Sequence, residues 1–135
     1  MLFLDLPLPS LCVKKGLNML SVYCYERCST CQKALKWLDA NGLEYRVMDI
    51  RADHPNKETL RKLYLMSGLP LKRFFNTSGM LYRQMGLAKK LADMGEEEQI
   101  KLLATDGMLV KRPLLFGDNL VLCGFRENEW SEKLL

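Results

Sequence analysis

The sequence predicts one α/β domain, on the basis of its length, its order of strand and helix patterns, and a cysteine pair between the first strand and the first helix. The chain has 135 residues, of which 48% are hydrophobic and 27% charged. This length allows one domain with a well-packed core, and this balance is typical of a folded globule. The predicted order is β-α-β, a helical insert at about residues 56–106, and then β-β-α.

The first part of the domain is predicted as strand, helix and strand. Leu20–Tyr25 is predicted as the first strand, and Glu44–Ile50 is predicted as the second strand. Between them, from about Ser29 to Asn41, apolar residues recur at the period of one helical face, and Gly42 ends the helix. The residues on that face are Cys31, Ala34, Leu35 and Leu38.

The insert is predicted to be helical. The polar turn Asp53–Asn56 starts a helix that ends at Gly68. Its buried stripe is formed by Leu60, Leu63 and Tyr64. Glycine and proline then break residues 69–95 into short turns. Glu96–Glu98 favour a helix N-terminus through the macrodipole, and this helix is expected to run to about Thr105.

The last part of the chain predicts a hairpin and a closing helix. Two apolar runs, at residues 114–116 and 120–125, flank Gly117-Asp118-Asn119. This arrangement indicates two antiparallel strands joined by a tight turn. The final helix is expected to begin near Glu127.

Residues 1–18 show neither helical nor strand periodicity. We expect an N-terminal extension that is disordered or results from an over-called translation start, followed by a single domain at 19–135. The codons for Lys14-Lys15-Gly16 would resemble a ribosome-binding site just before Met19. A secretion signal is not predicted, because the segment opens without positive charge and Asp5 interrupts its apolar part.

Charge and cysteine content exclude several classes of function. The net charge of +4 comes from scattered basic doublets, so we expect no direct nucleic-acid binding. No apolar run is long enough for a membrane helix, so we expect no membrane association. Five cysteines are an odd number, and three of them fall within residues 24–31. This pattern favours one working cluster in a reducing compartment, and therefore a cytoplasmic protein.

The strongest chemical signal is Cys28-Ser29-Thr30-Cys31, between the first strand and the first helix. A thiolate is the reactive form of cysteine, and a helix N-terminus stabilises that anion. Cys31 follows one helical turn later, near enough to attack a mixed disulfide formed on Cys28. The pattern predicts thiol–disulfide chemistry with Cys28 as the more exposed and more acidic thiol.

Three other interpretations compete for these cysteines. With Cys24 included, the spacing matches the iron–sulfur signature of radical S-adenosylmethionine enzymes, but Cys24 falls inside a strand and the chain is short for that fold. A zinc site would need four ligands, and the single histidine, His54, lies in a distant turn. Buried core thiols are the third interpretation, and it suits Cys12, Cys24 and Cys123 better than the pair. We expect no metal and no bound cofactor.

Several motifs in order resemble the arsenate reductase (ArsC) family, including its Spx regulator branch. They are Cys28–Ala34, Gly68–Leu71, Lys72–Gly79, Tyr82, Gly86-Leu87, Lys111–Pro113 and Val121–Phe125. The resemblance spans Met19 to Leu135. It implies a thioredoxin-like fold with an inserted helical subdomain.

The resemblance also implies roles for individual residues. Cys28 corresponds to the nucleophile, and Cys31 to the second cysteine of Spx-type redox switches. Arg112 corresponds to an oxyanion-binding arginine, and Pro113 to a cis-proline beside the active site. The anion-binding set is then Ser29, Thr30, Asn76, Arg112 and Pro113. Lys111 is expected to be a solvated neighbour.

The chain departs from typical arsenate reductases at two positions, Asn76 and Gly124, where those enzymes carry arginines. Arg126 lies two positions after Gly124, and its substitution for that arginine is left open. Three hypotheses follow. The first is a reductase of a small oxyanion or of mixed disulfides, with glutaredoxin and glutathione or thioredoxin as electron donor. The second is an Spx-like redox-sensing regulator that binds RNA polymerase. The third is a module of this shape without turnover.

Overall fold

Four strands form one mixed sheet in the computed structural model, which describes residues 19–135. The strands are β1 (Leu20–Cys24), β2 (Tyr45–Asp49), β3 (Leu114–Phe116) and β4 (Val121–Cys123). The spatial order is β2-β1-β3-β4, with β1 parallel to β2 and antiparallel to β3, and β3 antiparallel to β4. The predicted α/β, thioredoxin-like architecture is confirmed, while the expectations for residues 1–18, including Cys12, lie outside the described residues.

Six helices and three 3₁₀ turns complete the described chain. The helices are α1 (Ser29–Ala40), α2 (Lys57–Ser67), α3 (Met80–Gln84), α4 (Leu87–Lys90), α5 (Glu96–Leu103) and α6 (Glu127–Leu134). The 3₁₀ turns are Leu71–Phe74, Leu91–Asp93 and Gly107–Leu109. Within residues 19–135, no helix has the length and apolar character needed to cross a membrane.

The helix boundaries follow from local chemistry. The Asn56 side chain accepts a hydrogen bond from the backbone N–H of Thr59 and so caps α2. Gly68 ends the same helix in the left-handed conformation, with φ of 68°, that favours glycine. Three glutamates open α5, where they complement the positive end of the helix dipole.

Alternating side chains of the sheet belong to two hydrophobic clusters. Leu20, Val22 and Cys24 of β1 pack in one cluster with residues of α1 and α6. Tyr23 belongs to the other cluster, which contains the buried residues of the insert. Successive residues of a strand point to opposite faces. The sheet therefore separates a layer containing α1 and α6 from the helical insert.

An isolated antiparallel bridge between Phe75 and Val110 ties the insert to the chain that leads into β3. The backbone N–H of Asn76 donates to the Leu109 carbonyl at 2.7 Å, and that of Lys111 donates to the Phe74 carbonyl at 2.8 Å. The Arg112–Pro113 peptide bond that follows is cis, as the resemblance implied. The bridge thus holds residues 74–76 beside residues 109–112.

Candidate active site

Cys28 occupies the N-cap position of α1, immediately after the turn that follows β1. Its backbone N–H donates to the Tyr25 carbonyl at 2.9 Å, and its carbonyl accepts from the Gln32 N–H at 3.1 Å. The residue is half-buried, whereas Cys31 is fully buried. The prediction that Cys28 is the more exposed thiol of the pair is therefore confirmed.

A third cysteine, Cys24 at the end of β1, lies beside Cys31. Its side chain shares a hydrogen bond with Cys31, which raises the pKa of the Cys24 thiol and lowers that of Cys31 to about 6. Burial opposes the lowered pKa of Cys31, while hydrogen bonds from Tyr25 and Cys28 and the charge of Arg112 support it. The prediction from the helix start did not include this contact. That Cys28 is the more acidic thiol of the pair stays a prediction.

Cys24 and Cys123 are both buried, which agrees with their interpretation as core thiols. Cys24 shares the first hydrophobic cluster with Cys31, whereas Cys123 of β4 belongs to the cluster on the opposite face. Within residues 19–135, no group of three or more histidine, cysteine or acidic residues is arranged to hold a metal ion.

Arg112 lies close to the cysteine pair. Its guanidinium carbon lies 5.3 Å from the centroid of the Tyr25 ring, which indicates a cation–π contact. One terminal nitrogen donates long hydrogen bonds of 3.5 Å to the carbonyls of Met108 and Val110. The Nε atom is buried and has no hydrogen-bond partner among residues 19–135. Arg112 therefore has a buried donor that no group of the described chain satisfies.

A groove of about 680 Å³ opens beside Cys28. Its lining includes four of the predicted site residues, Cys28, Thr30, Asn76 and Arg112. Ser29, Cys31 and Pro113 do not line it: Ser29 is exposed, and the other two are buried. The binding roles predicted for Ser29 and Pro113 stay predictions.

The groove is strongly cationic, and the sequence did not predict this convergence of basic residues. Besides Arg112, it is lined by Lys72, Arg73, Lys111 and Arg126, and no acidic residue of the described chain lines it. Lys111 is half-buried in this lining, and the expectation that it is a solvated neighbour of Arg112 stays a prediction. The adjacent pairs Lys72-Arg73 and Lys111-Arg112 were visible in the sequence, but their convergence depends on the Phe75–Val110 bridge.

Comparison with known families decides the relationship. The model of the ArsC family matches residues 23–133. The chain belongs to the ArsC family. The uncharacterized protein YusI of Bacillus subtilis is 50% identical over 113 residues, covering 84% of this chain and 96% of YusI.

Two further ArsC-type relatives have names that suggest a function. A crystal structure described as a possible arsenate reductase from Streptococcus mutans has a TM-score of 0.77 and 41% identity, covering 84% of this chain and 98% of that one. The global transcriptional regulator Spx of Enterococcus faecalis is 22% identical over 82% of this chain and 83% of its own length. The chain is thus similar both to a possible arsenate reductase and to a transcriptional regulator.

Proposed function

We propose that this ArsC-family protein is a cytoplasmic thiol–disulfide oxidoreductase, with Cys28 as nucleophile and Cys31 as resolving cysteine. One observation carries the proposal: Cys28 lies at the start of α1 on the wall of a cationic groove, with the buried Cys31 one turn behind it. A helix N-terminus and nearby cations both stabilise the negative charge of a thiolate.

The reaction consists of two thiol–disulfide exchanges. The Cys28 thiolate attacks one sulfur of a mixed disulfide, forms a new S–S bond, and releases the other sulfur as a thiolate. The Cys31 thiolate then attacks Sγ of Cys28, which releases the second half of the substrate as a thiolate and leaves a Cys28–Cys31 disulfide. The substrate gains two electrons and the cysteine pair loses two. A dithiol donor, glutaredoxin with glutathione or thioredoxin, restores the reduced pair.

The geometry favours disulfide closure over storage of a mixed disulfide. Cysteines three residues apart at a helix start have Cα atoms within the range of about 4.4–6.8 Å that a disulfide requires. Because the pKa of Cys31 is lowered to about 6, most of this thiol is ionised at neutral pH. Its complete burial protects it from other reactants until Cys28 carries a disulfide.

Arsenate is expected to be a poor substrate. Of the three arginines that the resemblance implies for typical arsenate reductases, only Arg112 is present, because Asn76 and Gly124 occupy the other two positions. Each missing charge-assisted hydrogen bond costs about 1.5–3 kcal/mol. A loss of about 3 kcal/mol already corresponds to more than a hundredfold in affinity. Arg126 lines the groove and is the arginine that could substitute. Without a contact from Arg126, the retained Arg112, the Asn76 side chain and the first turn of α1 would hold a small oxyanion beside Cys28 weakly.

The test is a panel assay of the reduced full-length chain with arsenate, glutathione mixed disulfides and protein disulfides. We expect turnover with mixed disulfides and an oxidised product that has lost two hydrogen atoms by mass spectrometry. Cys31→Ser should stop after the first exchange and accumulate a mixed disulfide on Cys28. Lys89→Met, which removes an exposed lysine of α4 that does not line the groove, is the control and should still turn over. Efficient arsenate reduction by a fully active Cys31→Ser variant would overturn the proposal.

A second candidate, an Spx-like redox-sensing regulator that binds RNA polymerase, is favoured by the similarity to Spx and by the closable cysteine pair. It predicts that the oxidised chain copurifies with RNA polymerase and that the Cys31→Ser chain does not. Equal recovery of oxidised, reduced and Cys31→Ser chains with the polymerase would count against it.

A further inference from the structure

Lys111 covers the surface that a side chain at position 124 would occupy. A Cβ atom placed on Gly124 would lie 2.9 Å from Cε and 3.9 Å from Nζ of Lys111. Gly124 has φ of 78°, a conformation that favours glycine over residues with side chains. The aliphatic part of Lys111 therefore crosses the bare backbone of Gly124, and its ammonium group lies beside that backbone.

Arg73, which belongs to the insert, lies close to the same backbone at residues 123–124. Its guanidinium donates to the Cys123 carbonyl at 3.4 Å. Burial raises the pKa of the Cys123 thiol to about 12, and the charges of Arg73 and Lys111 both act against this rise. The two cations therefore lie around Cys123 and Gly124, whereas Arg112 lies over Tyr25 and acts on Cys31.

The groove thus has two cationic regions, one formed by Arg112 beside the cysteine pair and one formed by Arg73 and Lys111 at the end of β4. Glu129 is the acid that acts on Cys123, but it does not line the groove. Among residues 19–135, no acidic residue lines the groove, so none in the lining neutralises the charge of the second region. Because clefts with charge of one sign concentrate oppositely charged ligands, this region favours an anionic group.

The size of the groove indicates what kind of molecule carries the anionic group. A volume of about 680 Å³ falls within the range of about 300–1,000 Å³ typical of organic ligand sites, and it is far more than one tetrahedral oxyanion fills. The lining also includes the apolar side chains of Phe75, Phe125 and Pro70. An organic molecule with an anionic end fits this combination of charge and apolar surface.

We infer that Arg73 and Lys111 form a second anion subsite, which binds a carboxylate or phosphate of a small anionic thiol while that thiol's sulfur, held in a disulfide, meets Cys28. Lys111, three residues before β3, supplies the positive charge that Gly124 lacks. This inference rests on the proposed disulfide exchange at Cys28 and adds the substrate class: disulfides in which one half is a small anionic thiol.

The experiment compares three disulfide probes that differ in charge: dithiobis(nitrobenzoate), which is anionic, dithiodipyridine, which is neutral, and cystamine, which is cationic. The rate of reaction with Cys28 is measured in the reduced full-length chain and divided by the rate of a free reference thiol with the same probe. We expect Lys111→Met to lower the relative rate with the anionic probe about tenfold. The neutral probe should react at an unchanged rate, and cystamine should react faster.

Two variants control this comparison. Lys111→Arg keeps the positive charge and should retain most of the preference for the anionic probe. Lys89→Met removes an exposed lysine of α4 that does not line the groove, and it should leave all three rates unchanged. Methionine preserves the aliphatic cover over Gly124, so a loss confined to the anionic probe reports on charge.

The outcomes separate the two proposals. If the chain reacts with the neutral probe but Lys111→Met and Arg73→Met leave the anionic-to-neutral ratio unchanged, the second subsite is overturned and the oxidoreductase stands. If Cys28 reacts with none of the three probes, the proposed function fails, and the subsite inference fails with it.

Discussion

The indole Nε1 of Trp130 donates a hydrogen bond to the backbone carbonyl of Gly124 at 3.0 Å. Trp130 lies on α6 and is fully buried. On its other side, Gly124 donates its N–H to the Pro113 carbonyl at 2.8 Å. The backbone at the edge of the groove is therefore held both by α6 and by the residue that follows Arg112.

Trp130→Phe should lower the free energy of unfolding by about 1–3 kcal/mol, because it removes the indole donor and leaves the buried Gly124 carbonyl unsatisfied. Chemical denaturation followed by circular dichroism measures this change. Trp37→Phe is the matched control, since Trp37 is half-buried and packs edge-on against Trp130. An equal loss in both variants would show that aromatic packing, rather than the hydrogen bond, accounts for the effect.

Cys24→Ala should raise the pKa of Cys31, because it removes the hydrogen bond that lowers this pKa to about 6. Cys31 attacks as a thiolate, so the rate at which it resolves a mixed disulfide on Cys28 should rise with pH through about 6 and then level off. In Cys24→Ala, the half-maximal pH should move upward. The measurement is the pH dependence of thiol release from a preformed mixed disulfide. Cys123→Ala should keep the original profile, and an unmoved profile in Cys24→Ala would contradict the prediction.

Arg112→Ala should slow the alkylation of Cys28 by the anionic reagent iodoacetate and weaken the protection of Cys28 by phosphate or arsenate. The reason is that Arg112 lines the same groove as Cys28 and that a cationic cleft concentrates anions. Labelling rates followed by mass spectrometry measure both effects. Arg112→Lys keeps the charge but not the fork of donors, so it should retain the alkylation rate better than the anion protection. Unchanged labelling and unchanged protection in Arg112→Ala would contradict a role for Arg112 in the site.

Asn76→Arg and Gly124→Arg should behave differently, although each restores an arginine that typical arsenate reductases carry. Asn76 lines the groove at the Phe75–Val110 bridge, and an arginine there should strengthen oxyanion binding. Gly124→Arg should destabilise the fold by about 1–3 kcal/mol, since its backbone is left-handed and Lys111 occupies the adjacent space. Thermal denaturation and arsenate protection of Cys28 measure the two effects. Equal gains in arsenate binding with unchanged stability would contradict this account.

Local patterns were sufficient to predict most of the fold, because caps, glycine stops and apolar spacing act within a few residues. Gly68 ends α2 as expected, and the hairpin between β3 and β4 follows the predicted turn. The Cys24–Cys31 contact could also have been anticipated, since strand alternation places Cys24 on the face that packs against α1. The cationic groove could not have been predicted, because Arg73 and Lys111 are far apart in sequence and are brought together only by a long-range backbone bridge.

The Phe75–Val110 bridge has a consequence for how sites of this type diverge in evolution. The segments that carry Arg73, Asn76 and Lys111 are held by main-chain hydrogen bonds, and such bonds form whatever side chains the residues bear. Single substitutions at these positions can therefore change the charge pattern without moving the frame or the cysteines. Descendants of one such chain can therefore differ in the charge of the groove while they inherit the same cysteine pair unchanged.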